Sequence, residues 1–392
     1  MEFELSDELK AFAAEVDQFI CDNWDPEVMD PMPEQLSQVV DTPPKRAFMR
    51  KLAQKGWLGM SWPKEYGGKD LSGMYEFLLT ERLARVGAPQ PGKGVGTIGK
   101  TIIRHGNAKL KEYFLPRIAR GEIEFAIGYS EPQAGSDAAA MQLKATRDGD
   151  GWRLNGRKIW TTSAHFADWY WVGARTDPDA PKHKGITLFL VEMRHPGITI
   201  QPTWTIGDER TNEVFIDDVW VGDDFVVGEL NKGWTYICEA LDLERFGMMP
   251  IGAMEMKVDT LCKWVMRAER DGAPLRDDPV ARHTIALLVT QLEVARMMQR
   301  RVVSEALKGR VPTVESSMYK LYANELDQRI ANWAMELMGP AGLLKRGNEG
   351  APMDGRFERS YRYTVVNTIG GGTSEIQKNI IARRQLGLPL VV

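Results

Sequence analysis

From the N-terminus to Gly121 the apolar positions recur at helical spacing. Leu9, Phe12, Ala13, Val16, Phe19 and Ile20 fall on one face, behind a capping Ser6 with Asp7 and Glu8 in the first turn. Pro26, Pro31, Pro33, Pro43 and Pro44 break the next region into loops and short pieces. The spacing predicts further helices over Lys45–Lys55, Met74–Val86 and Lys109–Arg120, the last ended by Gly121. From Glu124 to Gly228 the period shortens to two. Glu124–Gly128, Met141–Arg147, Trp152–Leu154, Arg157–Thr161, Trp169–Arg175, Ile186–Glu192, Ile198–Gln201, Val214–Ile216 and Phe225–Val227 suit strands. Asp148-Gly149-Asp150-Gly151 and Asn155-Gly156 read as hairpin turns. Beyond Gly233 the helical period returns over Trp234–Arg270, Pro279–Leu307, Val314–Leu337 and Ser374–Arg384, with Gly, Pro and Asp breaking it at 271–278, 309–312 and 339–356.

The expected architecture is α+β. An all-α domain covers 1–123, a β-barrel or sandwich 124–232, and a four-helix bundle 233–392, with faces suited to burial by other subunits. A chain of 392 residues has room for two or three such domains. Its net charge of -4 and pI near 5.9 argue against a nucleic-acid partner. No run approaches a membrane span, and Met1 to Lys10 is acidic, without signal- or transit-peptide character, so a cytoplasmic protein is expected. Three scattered cysteines (21, 238, 262) and five histidines without ligand spacing suggest neither a disulfide framework nor a metal site. Twelve tryptophans exceed what a single core needs, so some are expected to face solvent, a ligand or a subunit interface.

Gly94-Val95-Gly96-Thr97-Ile98-Gly99-Lys100-Thr101 satisfies the phosphate-loop pattern Gly-x-x-x-x-Gly-Lys-Ser/Thr. That loop works only between a buried strand and a helix. Ala88-Pro89-Gln90-Pro91-Gly92-Lys93 cannot be such a strand, so a nucleotide triphosphatase is rejected as the main reading.

The chemistry gathers elsewhere, in Tyr129-Ser130-Glu131-Pro132-Gln133-Ala134-Gly135-Ser136-Asp137. Ser, Gly and Asp in a tight loop offer hydroxyls and backbone N–H groups to an anion. This loop resembles the flavin- and thioester-binding signature of the acyl-CoA dehydrogenase family. Trp160-Thr161-Thr162 and Gly371-Gly372-Thr373-Ser374-Glu375-Ile376 resemble two further segments of that family in the same order, and His105-Gly106, Leu115-Pro116 and Gly121-Glu122 resemble its approach to the middle domain. The resemblance covers nearly the whole chain and implies the same three-part fold.

It also implies FAD as cofactor, an acyl-CoA thioester as substrate, and an electron-transfer flavoprotein as partner of a homotetramer or hetero-oligomer. Tyr129, Ser130, Trp160, Thr161 and Thr162 are then expected around the flavin ring, with Trp160 against its face and Thr162 near the hydride-accepting nitrogen. Ile127, Gly135, Ser136, Thr373 and Glu375 are expected among the other cofactor contacts, the last two in the segment that closes over the flavin. Ser136 also faces the thioester side, together with Gly371 and Gly372. Arg270, or Arg276, is expected on the FAD pyrophosphate of a neighbouring subunit. Glu336 stands where the family has a flavin-contacting Gln, in the Glu336–Pro340 region, with Pro340 in the same contact group.

Many family members carry the catalytic Glu where this chain has Gly371. Members like isovaleryl- and long-chain-type dehydrogenases carry it within Leu-Asp-x-Glu-Arg, and this chain reads Leu241-Asp242-Leu243-Glu244-Arg245. The resemblance therefore implies Glu244 as base, Gly371 leaving space for it, and Asp242 and Arg245 ordering the site or binding CoA. Removing a weakly acidic C–H proton needs such a carboxylate, held dry so that it stays basic. Two alternatives keep the fold: an acyl-CoA oxidase, or a weakly active partner subunit of a hetero-oligomer.

Overall fold

The computed structural model describes residues 5–31, 39–247, 250–308 and 312–389, with side chains described for all of these except 242–247. Five helices open the chain: α1 (Asp7–Asp22), α2 (Pro43–Gln54), α3 (Gly73–Arg85), α4 (Gly99–His105) and α5 (Ala108–Ala119). Ser6 caps α1 by accepting from the Leu9 N–H, and the helix buries Phe12, Ala13, Val16, Phe19 and Ile20. Thr42, Ser72 and Asn107 cap α2, α3 and α5 in the same manner.

Gly94–Ile98 is a π-helical turn that runs directly into α4. Lys100 is held 2.9 Å from Glu76, and the Thr101 hydroxyl donates to the Thr97 carbonyl at 2.9 Å. No strand feeds this segment, and its lysine and hydroxyl are engaged inside the fold, so the phosphate-loop letters make no phosphate loop.

The middle of the chain forms one sheet: β1 (Phe125–Gly128), β2 (Lys144–Asp148), β3 (Gly151–Lys158), β4 (Trp169–Arg175), β5 (Ile186–Glu192), β6 (Ile198–Trp204), β7 (Arg210–Gly222) and β8 (Val226–Val227). The order is β6-β7-β3-β2-β4-β5-β8, with β1 lying parallel to β4. Strand β4 is buried along its whole length because its two faces serve two cores. Trp169 and Trp171 join the helical core, while Tyr170, Val172 and Ala174 join the core of the sheet. Asp148–Gly151 makes the expected hairpin. Asn155-Gly156 does not: β3 runs straight through it, and the register against β7 shifts between Leu154 and Gly156. Gly156 takes φ 141°, so the glycine serves an in-strand irregularity where a turn was expected.

Six helices follow: α6 (Gly233–Gly247), α7 (Ile251–Val265), α8 (Pro279–Leu307), α9 (Thr313–Met338), α10 (Arg356–Asn367) and α11 (Ser374–Arg384). The helix expected over Trp234–Arg270 is thus two, parted at Pro250, which cannot donate to a preceding turn. Pro250 offers α7 no side-chain cap. The cap comes from α3, where the Glu81 carboxylate accepts from Ile251 N at 3.2 Å and Gly252 N at 2.8 Å. Helix α10 lies in a stretch the periodicity left unassigned. Met254, Val258 and Leu261 of α7, Leu288 and Leu292 of α8, and Leu326 and Ile330 of α9 share a core with Phe357 of α10.

Two charged pairs are sunk into these cores. Lys158 Nζ meets Glu131 Oε1 at 2.8 Å, with side-chain exposures of 0% and 2%, and Lys257 Nζ meets Asp327 Oδ1 at 2.6 Å. Burial pushes the Lys158 ammonium down to about 8 even though Glu131 favours its charge. Lys158→Met would leave a buried carboxylate without its cation. It is expected to cost about 3–5 kcal/mol, read as a lower urea midpoint, and an unchanged midpoint would contradict this.

Glu124 sits where the helical part meets the sheet, its N–H donating to Asp168, which also binds Arg46. Burial, with the Asp168 charge adding to it, raises the Glu124 carboxyl to about 7 against the pull of Arg46 and Lys93. The folded pKa lies above the unfolded one. Its stability contribution is therefore complete below about 4.5 and is lost as pH rises through about 7. Melting curves at pH 5 and pH 8 are expected to show Glu124→Gln losing less stability over that interval than the parent. Equal losses would remove Glu124 from the linkage.

Candidate active site

The signature loop leaves β1, whose last residue, Gly128, lies so close to Tyr170 that a Cβ would come within 2.2 Å of its hydroxyl. Tyr129 Oη accepts from Trp171 Nε1 at 2.7 Å, and the Tyr129 carbonyl accepts from Lys158 Nζ at 3.3 Å. Glu131 is the loop's internal anchor. Besides Lys158, its carboxylate accepts from Gln142 N at 2.6 Å and Leu143 N at 2.8 Å. Reciprocal backbone bonds between Glu131 and Ala134, both 3.0 Å, close the turn. Gly135 and Ser136 are left exposed on its outer rim.

The same anchoring fixes the Trp160 segment. Ile159 N donates to the Ser130 carbonyl at 2.9 Å, joining the exit of β3 to the signature loop. Trp160 then takes a left-handed φ of 58° with its ring 56% exposed. A bulky residue in that conformation is a genuine outlier, and such strain collects at functional sites. The residues after it are locked. Thr161 donates its N–H to the Asn212 carbonyl and accepts from Asn212 Nδ2, both at 2.9 Å. Its hydroxyl lies 3.1 Å from Tyr170 Oη, buried, so Thr161 braces the segment from inside, while Ile127 is paired within the sheet to Trp171. Thr162 is half-buried, its Oγ1 3.4 Å from that of Thr211. Behind it, Lys93 Nζ reaches the Thr162 carbonyl at 3.5 Å and Ser163 Oγ at 3.3 Å. Glu209, near Lys93 and Arg359, has its carboxyl raised to about 7 by burial.

The late segment lies between α10 and α11. Gly371 and Gly372 take φ of 64° and 93°, open to glycine and strained for other residues. Thr373 caps α11 by accepting from Ile376 N at 3.2 Å, and Glu375 is exposed in its first turn. Arg270 is exposed and donates to the Leu337 carbonyl at 2.6 Å, which brings it beside exposed Glu336 and the turn carrying Pro340. Arg276 lies 3.9 Å from Asp277 on the surface. Helix α6 packs against β5, α9 and the π-helical turn. The side chains of Asp242, Glu244 and Arg245 on α6 lie outside the described residues.

Four polar residues behind these segments were missed from the sequence: Lys158, Asn212, Lys320 and Gln377. Each sits at an inward position of a strand or helix, so the one available signal was a polar residue out of phase with its apolar neighbours. Among the described residues no helix is long and apolar enough to cross a membrane, and no cluster of His, Cys, Asp or Glu suits a metal.

Family models for the N-terminal, middle and C-terminal domains of acyl-CoA dehydrogenase match residues 6–122, 126–219 and 231–386. Acyl-CoA dehydrogenase FadE26 of Mycobacterium tuberculosis is 34% identical over 351 residues, 88% of each chain. Two solved structures superpose at a TM-score of 0.89. One is the Tcur3481-Tcur3483 steroid ACAD, 31% identical over 99% of this chain and 100% of its own. The other is the ChsE4-ChsE5 complex from Mycobacterium tuberculosis, 32% identical over 100% of both. With all three domain models matched in order along the chain, this protein belongs to the acyl-CoA dehydrogenase family, oxidoreductases acting on CH–CH bonds.

Proposed function

We propose that this chain binds FAD and oxidises an acyl-CoA thioester to the 2,3-enoyl-CoA, with Glu244 as base. The observation that carries the reading is the exposed indole of Trp160, held on a strained backbone beside Thr162 and the rim of the signature loop. Trp24 and Trp204 are about as exposed, but of the three only Trp160 is held on a left-handed backbone, which suits a ring presented to a flat partner. The groups that the family resemblance assigns to the cofactor suit such a partner with a polar edge and a phosphate tail: hydroxyls of Ser130, Ser136, Thr162 and Thr373, the open Gly135, and the Arg270 guanidinium for a neighbouring subunit. FAD has that shape, and when bound it supplies the hydride acceptor.

The chain's own residues do the remaining work. Glu244 is the base proposed, a carboxylate that has to stay basic by exclusion of water. It takes the proton from the carbon next to the thioester carbonyl. Gly371 has no side chain to compete for that space. Backbone N–H groups of the Gly371 segment polarise the thioester carbonyl and stabilise negative charge as it develops. Asp242 and Arg245 bind the CoA portion or order the site.

A branched or cyclic acyl group is the substrate class we favour, supported by the helical base position and by the likeness to a steroid ACAD. The paired chain names of both solved relatives support a hetero-oligomer, and an electron-transfer flavoprotein is the acceptor proposed. Flavin reduction against a panel of acyl-CoA thioesters tests the substrate, and peroxide formation under air separates a dehydrogenase from an oxidase.

Glu244→Gln keeps the shape and removes the basicity. It is expected to retain the yellow flavin band while turnover falls roughly 10²–10⁴-fold. A purified Gln variant with wild-type turnover would show that another group is the base, and a parent protein that binds no flavin would overturn the whole reading.

A further inference from the structure

Behind the Gly371-Gly372 turn lies a set of buried polar groups with no part in the chemistry so far. Lys320, Asn324 and Asp327 lie at helical spacing on one face of α9, with exposures of 1%, 2% and 3%. Lys320 Nζ donates to the carbonyls of Gly372 at 3.0 Å and Asn367 at 3.4 Å. Asn324 Nδ2 also donates to Asn367 O, at 2.6 Å, and Asn367 Nδ2 donates to Asp327 Oδ2 at 2.9 Å. Asp327 in turn is held by Lys257. From the other side, Gln377 Nε2 donates to the carbonyls of Gly371 at 3.3 Å and Gly372 at 3.0 Å.

The amide of Gln377 is 1% exposed, and its Oε1 is buried without a hydrogen-bond partner. An unpaired buried oxygen costs stability. That cost is accepted here so that the NH2 end faces two carbonyls of one turn.

In a trans peptide the C=O of one residue and the N–H of the next point to opposite sides. With the Gly371 and Gly372 carbonyls turned inward onto Gln377 and Lys320, the N–H groups of Gly372 and Thr373 are turned outward, away from the bundle. Successive N–H groups on one side of a glycine turn form a concave donor for negative charge. We propose that Lys320 and Gln377 are positioning residues: they orient the Gly371–Thr373 backbone so that its donors meet the charge that develops on the substrate carbonyl. This inference rests on the dehydrogenase reading above and deepens it.

The test uses the flavin-loaded protein and the 3-thia analogue of whichever acyl-CoA the flavin-reduction panel selects. Sulfur at the third position prevents hydride loss. The base can still remove the α-proton, and the resulting enolate gives a long-wavelength band against oxidised flavin, so the midpoint pH of that band reads enolate stabilisation without turnover. Lys320→Met is expected to raise the midpoint by about one unit, a tenfold loss of enolate stabilisation, with kcat falling and KM little changed. Lys320→Arg, which keeps the cation and its donors, is expected to restore most of it, and Gln377→Met to give a smaller shift in the same direction.

Melting temperature and flavin content are read first. If Lys320→Met and Gln377→Met fold, hold flavin and keep the parent midpoint, the proposal is overturned. It is equally overturned if all the variants fail to fold, since the network then serves stability alone. A parent protein that holds flavin but gives no band with any thia analogue refutes the dehydrogenase reading itself, and is told apart from failure of the positioning role by the parent spectrum.

Discussion

The buried ion pair between Lys158 and Glu131 is the constraint on which the rest of the site depends. One partner ends β3 just before Trp160, and the other sits within the signature loop after β1. A charge pair with almost no water around it is held only if its remaining donors and acceptors are satisfied. Both are. The carboxylate takes two backbone N–H groups, and the ammonium takes the Tyr129 carbonyl. Two segments about thirty positions apart in sequence are thereby fixed to one point. A purely apolar contact there would tolerate sliding, whereas charge-assisted hydrogen bonds at set distances do not.

The strain at Trp160 follows from that fixing. Ile159 is bound to Ser130 on one side, and Thr161 to Asn212 and Tyr170 on the other. Between two such anchors the chain has little freedom, and a left-handed tryptophan with its ring held out to solvent is the outcome. The cost falls on one residue while the neighbours over-determine it. The glycine turn at 371–372 has the same construction with other parts, since two carbonyls are pulled inward and the residues between take positive φ. In both places the exposed group is what a ligand would meet, and the buried polar contacts decide where it points.

Much of this organisation was legible in the sequence, because periodicity reports burial and burial shapes each element. The apolar stripe of α1 is the buried face, and β4 reads as an uninterrupted apolar run because two cores claim its alternate residues. The misreadings have local causes. Asn155-Gly156 carries the letters of a turn, but pairing with β7 on one side and β2 on the other keeps β3 extended. Pro250 splits a helix whose new end is capped by Glu81, distant in sequence, a contact no local window contains. The phosphate-loop letters fail because their meaning lies in the flanking strand, which is absent among the described residues there.

The outward-facing residues of the site were readable as motifs, and the inward-facing ones were not. Ser136, Trp160 and Thr373 stand in runs whose order is distinctive. Lys158, Asn212, Lys320 and Gln377 are buried but stand in no distinctive run of residues, and their significance appears only when three or four segments meet. This division follows from the physics. A group that touches a ligand is constrained by the ligand's shape and so sits in a recurrent local pattern. A group that orients backbone from behind has only to deliver a donor to one carbonyl, and many helices and rotamers can do that. The cationic end of Lys320 reaches the Gly371–Gly372 turn from more than forty positions earlier in the chain, where no local pattern records the partnership. Distance in sequence is therefore what hides it, and closeness in the fold is what makes it effective.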